Sequence, residues 1–162
     1  MTGPLRTSSP LPVLASAVVS WLVMMATGLM LGVLVESRLG HLDTGNAGEY
    51  VVSFLVAMPV PFVLAIALVF APVAMGLRVI SSGAASPLAF GSACVLVAPF
   101  AGLLLLMLGT ALWGLPTNAG GYIKFIAPLL AIASGGMAFG LAFGRVVRTG
   151  LSSREAPAVQ GS

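Results

Sequence analysis

LPVLASAVVSWLVMMATGLMLGVLV, residues 11–35, carries no charged side chain from end to end. It is longer than the ~20 predominantly apolar residues that a helix needs to cross hydrocarbon. Leu11 to Val35 therefore reads as a membrane span. Val51 to Leu77 reads the same way. The run from Val79 to Ile123 is too long for one crossing and is broken near Leu115-Pro116-Thr117-Asn118. It holds a third span and the approach to a fourth, which Phe125 to Gly144 completes. Every span must be helical, because hydrocarbon offers the backbone no outside hydrogen-bond partner. The strict alternation of a barrel strand is absent. The fold class expected is all-α integral membrane, with four transmembrane helices.

Composition agrees. The 162 residues are 59% hydrophobic and 7% charged, with a mean hydropathy of +1.11, far outside the range of soluble globular domains. A secretory signal peptide is the competing reading of the first apolar run. That run exceeds the usual h-region and lacks a small-x-small cleavage site, so it is read as an uncleaved span. The single cysteine, Cys94, falls inside the third span, where disulfide or zinc arithmetic has nothing to act on. Abundant Ala, Gly and Val, with arginine well ahead of lysine, points to a bacterial chain of high genomic GC.

The spans come in pairs. Ser9-Pro10-Leu11 recurs as Ser86-Pro87-Leu88, and Leu29-Met30-Leu31-Gly32 recurs at the same offset as Leu106-Met107-Leu108-Gly109. Asn46-Ala47-Gly48-Glu49-Tyr50-Val51 answers Asn118-Ala119-Gly120-Gly121-Tyr122-Ile123, and these phrases hold every asparagine and tyrosine in the chain. Pro61 precedes Arg78-Val79-Ile80 by the spacing at which Pro128 precedes Arg145-Val146-Val147. Such self-similarity marks a repeated unit. Two tandem helical hairpins are expected, repeat one at about 9–83 and repeat two at about 86–150, within a membrane domain spanning 11–150. Residues 1–10 and 151–162 are read as flexible tails.

Basic residues orient the bundle. Arg6, Arg78, Arg145, Arg148 and Arg154 fall on one side, and Arg38 and Lys124 on the other. The positive-inside rule then puts both termini in the cytoplasm, with the chain in the plasma (inner) membrane. Hairpins that start and end on one side are parallel repeats, related by a pseudo-twofold axis along the membrane normal. This collar accounts for the net charge of +3. The arginines lie scattered at span ends without the clustered patch of a nucleic-acid surface. Tyr50 and Tyr122 are expected at the outer interface, and Asn46 and Asn118 as caps on the second and fourth helices.

Lipid supplies no hydrophobic force between helices, so association rests on small residues and close packing. Gly136, Gly140 and Gly144 line one face of the fourth span, and Gly28 and Gly32 one face of the first. These seams are read mainly as internal packing, with membrane-protein partners as a further use. Pro59, Pro61, Pro72, Pro99 and Pro128 are expected to kink their spans. Glu36, Glu49, Arg78, Lys124 and Arg145 sit at span ends, where long side chains reach the headgroups. The interior polar groups are Ser16, Ser20, Thr27, Ser92, Thr110 and Ser134, and a helical hydroxyl can bond the backbone one turn back.

Chemistry is sparse. The first outer loop gathers Glu36, Arg38, His41, Asp43 and Glu49, a set that could bind a divalent metal or sense pH. Its spacing matches no ligand motif, and repeat two has no counterpart of His41 or Asp43, so a solvated loop is expected. The scattered methionines read as gap-fillers. No catalytic, cofactor-binding or metal-binding residue is expected, and the bilayer is the expected partner. The reading is a non-enzymatic multi-pass subunit, scaffold or assembly factor of a membrane complex. Its alternative is a small transporter or channel for a neutral or lipidic solute, with Ser20, Thr27, Ser92 and Ser134 lining a midplane path.

Overall fold

The computed structural model describes residues 10–43, 45–81, 85–113 and 119–155, with side-chain surroundings for all of these except residue 106, residues 109–126, Leu108 and residues 150–155. Among the described residues the structure is helical without strands. Helix α1 spans Leu11–Arg38. The second crossing is a composite of α2 (Ala47–Ala57), α3 (Pro59–Ala65), a π-helical turn (Ile66–Phe70) and α4 (Ala71–Ile80). Helix α5 covers Pro87–Trp113 and α6 covers Ala119–Glu155. Among the described residues, four helices are long and apolar enough to cross a membrane: Leu11–Arg38, Ala47–Ile80, Pro87–Leu105 and Ala127–Thr149.

The prolines mark where the second span is broken. Pro59 begins α3 and Pro72 falls in the first turn of α4, positions where the missing N–H costs little. Between them the Ala71 N–H bonds the Ile66 carbonyl, five residues back. A register widened in this way carries the chain past Pro72, which has no N–H of its own. Pro99 and Pro128 lie inside helices α5 and α6, which continue through them.

Side-chain contacts give the topology. Along α1, Ser20 and Met24 meet Gly135 while Gly28 meets Ala131, so α1 and α6 run antiparallel. Gly144 sits against Pro87, Gly140 against Phe90, Gly136 against the Cys94 carbonyl and Gly102 against Leu129, so α5 and α6 are antiparallel too. Gly32 faces Tyr50 and Gly28 faces Phe54 and Phe62, which sets the second span antiparallel to α1. The second span and α6 both contact α1 and α5, giving a four-helix ring in which α1 and α5 are diagonal.

Helix α6 is the most enclosed member. Half of its spanning window is buried, against 28% in each of the other three. Glycine is the reason. A Cβ on Gly140 would overlap the backbone carbonyl group of Phe90, and one on Gly144 would lie 2.6 Å from the Pro87 Cα. Helix backbones therefore touch along the Gly136, Gly140 and Gly144 face, and this seam is used inside the bundle, against α5. Beside it runs a chain of rings: Phe70 lies 6.4 Å from Phe139, Phe139 stacks on Phe143 at 6.1 Å, and Phe143 meets Phe90 edge-on at 5.4 Å. All four rings are fully buried. The outer surface is apolar, with Leu14, Val18, Leu22, Val56, Val60, Leu96 and Phe100 exposed, as bilayer-facing helices require.

Interior hydroxyls serve packing. Ser16 donates to the Pro12 carbonyl at 2.6 Å and Ser134 to the Ala131 carbonyl at 2.8 Å, each within its own helix. Ser20 differs from the expectation. Its hydroxyl crosses from α1 to donate to the Gly135 carbonyl of α6 at 2.8 Å, and it is fully buried. The crossing is possible because Gly135 has no side chain to hold the helices apart. Interhelical bonds of this kind contribute roughly 0.6 kcal/mol in a membrane.

Candidate functional site

Polar chemistry gathers where α1 ends and α2 begins. The chain leaves α1 through Gly40, whose φ of +72° is the left-handed conformation that favours glycine. His41 Nδ1 then lies 3.1 Å from Glu36 Oε2, with His41 exposed and Glu36 largely covered. Asp43 organises the turn that follows: its Oδ1 accepts from the backbone N–H groups of Gly45 and Asn46, both at 2.9 Å. Asn46 closes the loop, accepting from the Asp43 N–H at 2.9 Å and donating from Nδ2 to the His41 carbonyl at 2.8 Å.

This arrangement corrects the capping expectation for Asn46. Asn46 occupies the N-cap position of α2, but its side chain makes no bond to that helix. Its backbone is already helical (φ −106°, ψ −5°), whereas a capping side chain projects from an extended residue. The side chain is drawn back into the loop instead. Asn118 lies outside the described residues, and the side chains of Tyr122, Lys124 and Thr110 are likewise not described.

The polar loop residues named from sequence are only partly assembled. Glu36 and His41 come together, and Asp43 is committed to the turn. Arg38 and Glu49 are exposed. Among the described residues no three of His, Cys, Asp and Glu converge as a metal site. Cys94 is a free, fully buried thiol against the α5–α6 seam. Of the four hydroxyl residues expected on a midplane path, Ser20 is bonded across to α6, Ser134 bonds its own helix, and Ser92 is exposed on the outer surface. These three do not share a lining.

Beneath the loop lies a feature that sequence reasoning missed, a cavity of about 160 Å³. Its walls are Gly28, Gly32, Val35 and Glu36 of α1, Tyr50 and Phe54 of α2, Met58 at the α2–α3 break, and Ala127 and Pro128 of α6. Gly28 and Gly32 were legible as a seam. What fills the seam is not a second backbone but the rings of α2: a Cβ on Gly32 would overlap the Tyr50 hydroxyl, and one on Gly28 would lie 2.8 Å from Phe54 Cζ. The wall is mostly hydrocarbon, with the Tyr50 hydroxyl and the Glu36 carboxylate as its polar groups. Among the described residues, the Tyr50 hydroxyl makes no hydrogen bond. Comparison of the chain with protein families, with curated proteins and with solved structures finds no match.

Proposed function

We propose that this chain is a non-enzymatic subunit, scaffold or assembly factor of a larger membrane complex. The observation that carries the reading is the use to which the interior polar groups are put. Ser16, Ser20 and Ser134 all bond backbone carbonyls, which holds helices in place and leaves those hydroxyls committed. The reading predicts protein company in the native membrane. Extracted into lipid nanodiscs from cells at native expression, the chain should appear by native mass spectrometry in assemblies heavier than its own 16.3 kDa by the mass of a second polypeptide. A bare 16.3 kDa species throughout would overturn the proposal.

The bundle is organised in this reading as two parallel hairpins about a pseudo-twofold axis along the membrane normal. The ring order supports it, since exchanging α1 with α5 and the second span with α6 carries each neighbour contact onto another. The halves have diverged in bulk. Alignment on Pro61 with Pro128, and Arg78 with Arg145, sets Val69, Val73 and Leu77 opposite Gly136, Gly140 and Gly144. Valine and leucine stand in the second span where α6 has the glycines that let it close on α5.

Both termini belong on the cytoplasmic side of the plasma (inner) membrane of a bacterium. The parallel course of the second span and α6 supports this, because it brings Arg78, Arg145 and Arg148 to one end of the bundle and leaves Arg38 at the other. Fusions at residue 1 and residue 162 to a cytoplasm-active fluorescent reporter should both shine, and fusions to a periplasm-active phosphatase should both be silent. Opposite signals at the two ends would exclude the paired-hairpin topology.

A further inference from the structure

We infer that the cavity between α1, α2 and α6 is a lipid site: it takes the upper part of one acyl chain of a glycerolipid, whose ester carbonyl accepts a hydrogen bond from the Tyr50 hydroxyl. Three observations combine. The first is size and lining. Gly28, Gly32, Val35, Phe54, Met58, Ala127 and Pro128 line about 160 Å³ of mostly apolar, partly open space, with the Glu36 carboxylate and the Tyr50 hydroxyl also in its wall. An apolar cavity on the order of 150 Å³ accommodates a benzene-sized piece of hydrocarbon.

The second is the hydroxyl. Tyr50 is half-buried, reaches across to the Gly32 face of α1, and makes no hydrogen bond among the described residues. A tyrosine hydroxyl that is partly withdrawn from water normally finds a partner. The Glu36 carboxylate lines the same cavity, but among the described residues the Tyr50 hydroxyl makes no bond to it, and an ester carbonyl supplies an acceptor within the hydroxyl's reach. The third is depth and continuity. Tyr50 stands in the first turn of the second span, at the level where the bilayer passes from headgroup to hydrocarbon. The cavity is partly open rather than sealed, so a chain can enter it from outside the bundle.

The test uses the full chain in nanodiscs of phosphatidylcholine doped with a phosphatidylcholine that carries a photoreactive diazirine near the ester end of one acyl chain. After illumination, cross-linked peptides should concentrate on 28–36 and 50–58. Val35→Phe, which projects a ring into the cavity, should reduce that labelling to the level of the exposed faces. Tyr50→Phe keeps the ring and the packing and removes only the donor. It should weaken retention of the probe in competition with unlabelled lipid about fivefold, the effect of losing one net hydrogen bond. Labelling spread evenly over the exposed faces of all four spans would overturn the assignment. So would unchanged labelling in both variants, which would mean that the cavity is filled by something other than this lipid.

Discussion

Gly140→Val should be the most damaging single substitution in the bundle, destabilising it by about 3 kcal/mol or more, at or beyond the upper end of ordinary overpacking. A Cβ at this position would overlap the Phe90 carbonyl group and lie 2.5 Å from the Gly91 nitrogen. A flexible side chain can step aside from such a clash, but a helix backbone cannot. Helices α5 and α6 must then separate, and separation also loosens the contacts at Gly136 and Gly144, one turn away on either side. No hydrophobic force draws the helices back together in lipid, so the close packing lost is not replaced. Valine is an informative choice because Val73 holds the corresponding place in the first half. Unfolding in mixed micelles, followed by helical signal against denaturing detergent fraction, measures the change. Gly76→Val is the control, since a Cβ there would meet nothing within 4 Å. It should be near neutral. A Gly140→Val protein as stable as the Gly76→Val protein would mean that the α5–α6 seam is not a backbone contact.

That seam shows which features a sequence reveals and which it conceals. Glycines at four-residue intervals announce that something comes close, because only small residues recur on one face for that reason. They do not say what. Gly136, Gly140 and Gly144 meet another helix's backbone, whereas Gly28 and Gly32 meet aromatic rings and leave a cavity beside them. Four long apolar helices were legible because hydrocarbon thickness and backbone hydrogen bonding leave no alternative. The interruption of the second span was legible only as prolines. The π-helical turn at Ile66–Phe70 has no residue signature of its own, since it arises from how the chain accommodates Pro72. The Ser20 hydroxyl illustrates the same limit. Nothing in the first helix's sequence distinguishes it from Ser16, yet Ser16 bonds its own backbone while Ser20, set against Gly135, bonds α6. Loop chemistry was the least legible. Asp43 takes the anchoring role in the turn that Asn46 was expected to play at the helix, a matter of one backbone angle.

The π-helical turn has an energetic consequence of its own. Phe70 is its last residue and is fully buried, with its ring against Gly136 and 6.4 Å from the Phe139 ring. It is the second span's link to the aromatic chain that continues through Phe143 to Phe90. Phe70→Ala should therefore destabilise the protein by about 3 kcal/mol, the low end for removing a buried ring, because in lipid the loss is contact and cavity without a water-transfer contribution. Val63→Ala, in the same span but exposed to lipid, should change stability by less than about 0.5 kcal/mol. The sharper measurement is a double-mutant cycle with Gly136→Ala. A Cβ on Gly136 would stand 3.0 Å from the edge of the Phe70 ring and 3.2 Å from the Cys94 carbonyl. Removing the ring relieves the first of these crowdings and leaves the second. Gly136→Ala should thus cost less in the Phe70→Ala background than alone, with a coupling of at least about 0.5 kcal/mol, as expected for residues in contact. Strictly additive effects would show that the ring does not rest on the glycine, and the packing assigned to the π-helical turn would then have to be abandoned.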